Sequence, residues 1–191
     1  MAAVNSQMLP LGTTLPRFEL PDPDGKPHSL PANAPAYLVM FICNHCPFVK
    51  HVRHELAALG RDYGRGGRGV AIAAINSNDA EKYPDDSPAK MKEEAQAAGY
   101  DFPYLVDADQ SVAKSFRAAC TPDFYVFDAD RTLRYRGQLD DSRPGNGKPI
   151  DGHDIRAALD AVIDGKPVDE EQQPSIGCNI KWKPGNAPDY R

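Results

Sequence analysis

The stretch from Tyr37 to Gly60, YLVMFICNHCPFVKHVRHELAALG, constrains the chain more than any other. It opens on six apolar residues, Tyr37 to Ile42, a run with the length and β-branched character of a strand buried on both faces. Cys43-Asn44-His45-Cys46 interrupts it, and the period then changes. Phe48, Val52, Leu56 and Leu59 recur at roughly helical spacing, with His51, Arg53, His54 and Glu55 between them. Gly60 ends the pattern, as a residue able to turn left-handed can. A C-x-x-C pair therefore stands where a buried strand hands over to a helix.

The first N–H groups of a helix lack intrahelical partners, and the aligned peptide dipoles concentrate positive charge there. A thiolate at that end is stabilised, into the pKa range of about 3.5–7.5 found at such sites. The expectation is that Cys43 ionises readily and attacks, while Cys46, one turn further in and more buried, resolves. A structural zinc site normally takes four protein ligands. The chain has no second C-x-x-C to supply them, since Cys120 and Cys178 stand alone in sequence. No metal is expected, and the pair reads as redox-active. His45 lies between the two cysteines, on the expected first helical turn. An imidazole there favours thiolate over disulfide and makes the pair more oxidising; the alternative is a solvated histidine with no effect. His51 and His54 read as surface residues.

A chain of 191 residues suits one domain with a core of its own. The 41% hydrophobic and 26% charged content are ordinary for a globular protein, and a net charge of −5 points away from nucleic acid and anionic membranes. The basic run RDYGRGGRG, Arg61 to Gly69, reads as a loop between helix and strand. No apolar run approaches the roughly 18 residues of a membrane span, and Met1 to Pro10 lacks a signal-peptide pattern, so the expected compartment is the cytoplasm. In a reducing cytosol, cysteines are kept for reactivity more than for structural bridges.

Along the chain, residues 1–14 show no periodicity and are expected as a mobile lead-in. Phe18–Leu20 and His28–Leu30 read as an N-terminal hairpin turned by Pro21-Asp22-Pro23-Asp24-Gly25. Val70–Ile75 is a second continuous apolar strand, which makes strand, helix and strand a right-handed parallel crossover. Ser77–Asp86 reads as polar loop. Ser87 caps a helix closed by Gly99, Phe102–Val106 suits a short strand, and Gln110–Ala119 a helix. Phe124–Phe127 and Leu133–Arg136 make two further strands, and Ile155, Leu159 and Val162 mark a final amphipathic helix. The boundaries that follow are a domain over 15–165 and an irregular tail over 166–191. In that tail Ile176, Cys178, Ile180 and Trp182 alternate, so residues 174–184 are expected to pack back on the domain.

Strand, C-x-x-C and helix together resemble the thioredoxin superfamily. The sequence Cys-Asn-His-Cys-Pro-Phe-Val, the Thr121-Pro122 step and Phe18-Glu19-Leu20…Asp24-Gly25-Lys26 are similar to its branch grouped with alkyl hydroperoxide reductase and thiol-specific antioxidant proteins. The resemblance implies an α/β, thioredoxin-like fold: a central mixed sheet flanked by helices. It implies a cis-proline at Pro122 that, with Thr121, helps hold an extended thiol substrate. Cys120 then falls near the site, either as an accessory redox group or as a small buried residue. Cys178 is the other accessory candidate, as a partner for Cys120.

The function implied is thiol–disulfide exchange on a protein or small thiol, with no organic cofactor and an electron donor such as a thioredoxin or glutathione system. One rival is a thiol peroxidase acting through Cys43. Peroxiredoxins carry Pro-x-x-x-Thr/Ser-x-x-Cys, whereas Ala36 and Met40 occupy the matching positions before Cys43. The other rival is a carrier of a soft ion such as Cu(I), held by Cys43, Cys46 and a histidine.

Overall fold

The computed structural model describes residues 3–190. At its centre lies strand β4, which needs its predecessors named first: β1 (Ala3–Asn5), β2 (Leu20–Pro21) and β3 (Pro27–His28), then β4 (Ala36–Phe41). Helix α1 (Pro47–Tyr63) follows, then β5 (Ala71–Asn76), a 3-10 turn at Pro84–Asp86, α2 (Pro88–Ala98), β6 (Tyr104–Val106) and α3 (Ser111–Ser115). The chain then runs through β7 (Cys120–Thr121), β8 (Asp123–Asp128), β9 (Leu133–Gly137), α4 (His153–Ile163) and β10 (Ile176–Asn179).

The five-stranded sheet has the order β6-β5-β4-β8-β9, with β4, β5 and β6 parallel and β8 and β9 antiparallel. This is the mixed α/β architecture of a thioredoxin-like protein. Every residue of β4 is buried, because its side chains alternate into two cores. Leu38 and Met40 pack with Val52, Leu56 and Leu59 of α1 and with Ile155 and Leu159 of α4. Tyr37, Val39 and Phe41 pack on the opposite face with Phe116, Tyr125 and Phe127. Each such side chain contributes about 1.5–3 kcal/mol by leaving water, so β4 is the most firmly seated element and its end is a rigid place from which to hang a reactive loop.

Several boundaries move. The hairpin pairs Leu20 with His28 and is shorter than expected. The helix expected over 110–119 stops after Ser115, and Arg117 turns left-handed at φ 51°. The mobile lead-in expected over 1–14 is corrected at β1, which pairs antiparallel with β10; residues 1–2 lie outside the described ones. β10 in turn pairs with β7, giving a small three-stranded sheet, β1-β10-β7, beside the main one. Trp182 packs partly buried against the second core. Among the described residues no helix is long and apolar enough to cross a membrane.

Candidate active site

The parallel ladder continues one residue past β4, where the Ile42 N–H donates to the Ile75 carbonyl at 3.0 Å. The four residues Cys43–Cys46 then cross to α1. The helix starts just ahead of its apolar period, after the C-x-x-C rather than within it. Pro47 is its first residue, as its fixed φ and missing N–H favour, and Cys46 is the N-cap. The first-turn position expected for Cys43 and His45 is therefore corrected: Cys46 is the sulfur nearest the helix terminus.

Cys43 is 2% exposed and Cys46 0%. Both reach the same residue across the sheet. The Cys43 sulfur lies 3.2 Å from the Thr121 hydroxyl, and the Cys46 thiol donates to the Thr121 carbonyl at 3.2 Å. When one proton leaves this pair, the surroundings place the charge on Cys46. The Cys43 thiol donates to it and outweighs the cost of burial, helped by the Cys178 thiol and by the N–H groups of Val49 and Cys178; its pKa falls to about 5. Cys43 moves well up, because it shares its proton with Cys46, is buried, and faces the Asp86 carboxylate. While the two sulfurs share a proton, the charge is thus favoured on Cys46 and disfavoured on Cys43.

His45 is oriented by a residue that the sequence pattern hid in a polar loop. Its Nδ1 lies 2.5 Å from Asp86 Oδ2, and its ring stacks on Tyr83 at 5.7 Å with 9° between planes. Asp86 is fully buried, which alone would push its pKa up, but hydrogen bonds from His45, Asn78 and the Asn44 N–H hold the carboxyl below its ordinary value. Asn44 N–H donates to Oδ1 at 2.8 Å, Asn78 to Oδ2 at 2.8 Å, and Asn76 to Oδ1 at 3.3 Å. The Tyr104 hydroxyl donates to Asn44 Oδ1 at 3.0 Å and closes the network. The available signal was topological: parallel β4 and β5 end at the same sheet edge, so the loop after β5 must meet the loop after β4.

Cys43, His45 and Asp86 offer ligand atoms within 4.8 Å of one another. The Asp86 oxygens are already committed to these four donors, however, so an ion there would have to displace them. The donor set fits an orienting carboxylate better than a metal ligand.

The Thr121–Pro122 peptide is cis. The backbone edge of Thr121, expected to hold an extended substrate, is taken by β10, where Cys178 stands opposite Thr121 and Asn179 opposite Cys120. Cys120 is fully buried and its thiol donates to the Pro122 carbonyl at 3.7 Å. All four cysteines are free and buried. Cys178, suggested as a partner for Cys120, is free, stands opposite Thr121 and lies close to Cys46.

The AhpC/TSA family model matches residues 11–136. An uncharacterized conserved protein from Geobacillus kaustophilus shares 58% identity at a TM-score of 0.93, over 97% of this chain and 98% of that one. A hypothetical protein from Sinorhizobium meliloti 1021 shares 52% at 0.92, over 95% and 99%. A secreted Mycobacterium tuberculosis disulfide oxidoreductase is 16% identical at a TM-score of 0.58, covering 75% and 95%, a likeness of fold. No curated protein matches the chain.

Proposed function

The chain belongs to the AhpC/TSA family, and on that premise we propose that it is a thiol–disulfide oxidoreductase that cycles Cys43 and Cys46 between dithiol and disulfide. The observation that carries this reading is that two free sulfurs meet at one residue, Thr121, with the charge stabilised on the one at the helix terminus. The fold shared with a disulfide oxidoreductase supports it.

In the oxidised protein a substrate thiolate attacks the Cys43 sulfur. The Cys43–Cys46 bond breaks and its electron pair leaves on Cys46, whose low pKa makes it the better leaving group. A second substrate thiolate then attacks the substrate sulfur of the mixed disulfide. Cys43 departs and takes up a proton, the substrate becomes a disulfide, and the protein is left as the dithiol. In reverse, the Cys46 thiolate resolves a mixed disulfide held on Cys43. Thr121 and Pro122 flank the approach to Cys43, and the partners are protein or small-molecule thiols with a thioredoxin- or glutathione-type couple to reset the pair. His45, held by Asp86, favours the reduced, charged form and so makes the pair more oxidising.

The peroxidase reading lacks the proline and hydroxyl residue of its motif. Ala36 and Met40 precede Cys43 inside the buried strand, and counted from Cys46 the corresponding positions are Val39 and Cys43 itself. The soft-metal reading needs Cys43, Cys46 and a histidine, whereas the ligand atoms gathered within 4.8 Å of one another are those of Cys43, His45 and Asp86, the last a hard carboxylate. One comparison tests all three. Oxidised protein should oxidise a dithiol peptide stoichiometrically, should consume hydrogen peroxide below the roughly 10⁴ M⁻¹s⁻¹ of an efficient enzyme, and should carry no stoichiometric metal when purified reduced. Peroxide turnover above that level, or a bound metal at one per chain without exchange activity, would replace the proposal.

A further inference from the structure

We propose that Cys178 is a third redox sulfur, able to take the disulfide from Cys43–Cys46 by intramolecular exchange and hold it as Cys46–Cys178. The inference rests on the exchange reading above and extends it to the chain's own tail.

β10 is seated against β7, beside the sulfur pair. Its register puts Cys178 opposite Thr121. The same Thr121 accepts the Cys46 thiol through its carbonyl at 3.2 Å. Gly177 brings the strand this close: a Cβ there would collide with the Thr121 carbonyl oxygen and stand 3.1 Å from the Pro122 nitrogen. Cys178 is buried in the same core cluster as Cys43 and Cys46, near enough to Cys46 for that sulfur to hold its pKa up. Cys46 is the sulfur that both Cys43 and Cys178 adjoin. Among the described residues, the ligand-type atoms gathered within 4.8 Å of one another include Cys43 with His45 and Asp86, and not Cys43 with both other sulfurs. Such an arrangement suits relay from sulfur to sulfur rather than joint coordination of one ion.

The step balances without an external oxidant. The Cys178 thiol loses its proton and its thiolate attacks Cys46 of the Cys43–Cys46 disulfide. A Cys46–Cys178 bond forms, the Cys43–Cys46 bond breaks, and its electron pair leaves on Cys43, which recovers the proton. Burial and the contact with Cys46 hold the Cys178 pKa up at about 12. Engaging Cys46 in a disulfide removes the Cys46 charge that opposes ionisation of Cys178, while burial still slows the attack. The oxidised protein would then hold two isomers. One presents a reactive disulfide to substrate at Cys43. The other stores the same two oxidising equivalents, ties the helix terminus to β10, and leaves Cys43 a free thiol.

The test is disulfide mapping of the full chain by mass spectrometry after acid quenching. Cys43→Ser protein is incubated with oxidised glutathione. The Cys46 thiolate should attack it, releasing one glutathione, and Cys178 should displace the second, giving Cys46–Cys178 in most molecules. Oxidised wild type should contain both isomers, and Cys178→Ser should retain Cys43–Cys46 alone. A Cys43→Ser protein that stops at glutathionylated Cys46, stays reduced, or pairs through Cys120 overturns the proposal. Circular dichroism of each variant confirms that it folds. If wild type forms Cys43–Cys46 and exchanges with substrate while Cys43→Ser forms no Cys46–Cys178, the relay fails and the main reading stands. If Cys46–Cys178 forms in Cys43→Ser while wild type shows no exchange with substrate, the main reading fails instead.

Discussion

Two regions bring a cysteine to the Cys46–Thr121 contact, and they are built on different physics. The β4–α1 junction is local and deeply anchored: a six-residue strand buried throughout, then a 17-residue helix whose apolar face fills the first core. β10 is four residues long and is held by its register to β1 and β7 and by hydrogen bonds around it. Lys181 N–H donates to Asn78 Oδ1 at 2.8 Å and the Lys181 carbonyl accepts from the Asp79 N–H at 2.8 Å, which ties the tail to the same loop that carries Asp86. Stability is not uniform across a fold, and segments with little buried apolar area open first. The contrast assigns a fixed sulfur pair to the junction and a releasable sulfur to the tail.

The largest expected effects come from removing the fixed pair. Cys43→Ser or Cys46→Ser should each lower dithiol oxidation by roughly 10³-fold or more, with Cys46→Ser accumulating a mixed disulfide on Cys43 that gel mobility under non-reducing conditions detects. If Cys43→Ser kept wild-type exchange, the assignment of Cys43 as the entry sulfur would be wrong.

Asp123, at the start of β8 between the two regions, gives a pH-dependent effect. It is fully buried, and burial pushes its pKa up to about 7 despite hydrogen bonds from Tyr125 and Ser175. Its charged form is therefore disfavoured in the fold. The cost is absent below about pH 4, grows as pH rises to about 7, and is constant above; the shift corresponds to on the order of 4 kcal/mol. Urea denaturation from pH 4 to 8 should show wild type losing stability relative to Asp123→Asn over that window. Parallel pH profiles would remove Asp123 from the account.

Two substitutions sharpen the contrast directly. Leu56→Ala empties the first core and should cost about 2–5 kcal/mol of global stability. Gly177→Ala should cost less, about 1–3 kcal/mol, because the chain can relieve the collision with Thr121 by lifting β10 alone. Hydrogen exchange separates them: Leu56→Ala raises exchange throughout β4 and α1, whereas Gly177→Ala raises it in β1 and β10. Equal loss of protection in the main sheet would show that the tail is part of one cooperative unit.

The smallest effect concerns His45. Removing the imidazole leaves the Asp86 carboxylate facing Cys43, so His45→Ala should lower the reduction potential by about 30 mV, equivalent to about 1.4 kcal/mol. An unchanged potential in a glutathione titration would leave His45 a packing residue against Tyr83.

The junction was legible because its signals are local. A continuous apolar run, a C-x-x-C and a helical period fall within 24 residues, Tyr37 to Gly60, and each follows from one element's own needs. The alternating Ile176, Cys178, Ile180 and Trp182 carried a trace of β10, but not its partners, since register with β1 and β7 is set by residues more than 50 positions away. Asp86 was hidden for the same reason: a carboxylate in a polar loop looks solvated until the parallel sheet folds it under Asn44. The helix start was misplaced by carrying the helix back over the C-x-x-C, ahead of the apolar period that begins at Phe48; Pro47 fixes the first turn and leaves Cys43 and His45 before it.

The central claim is that Cys43 and Cys46 form one reversible two-electron couple biased toward the reduced state. Equilibrating the full-length protein across glutathione ratios, then mapping its disulfides by mass spectrometry, tests it most directly. The account predicts a Cys43–Cys46 disulfide that appears in a single two-electron transition, at a potential above the roughly −270 mV of thioredoxin. A protein whose Cys43 and Cys46 remain thiols across the whole range, or close only below that potential, would contradict it.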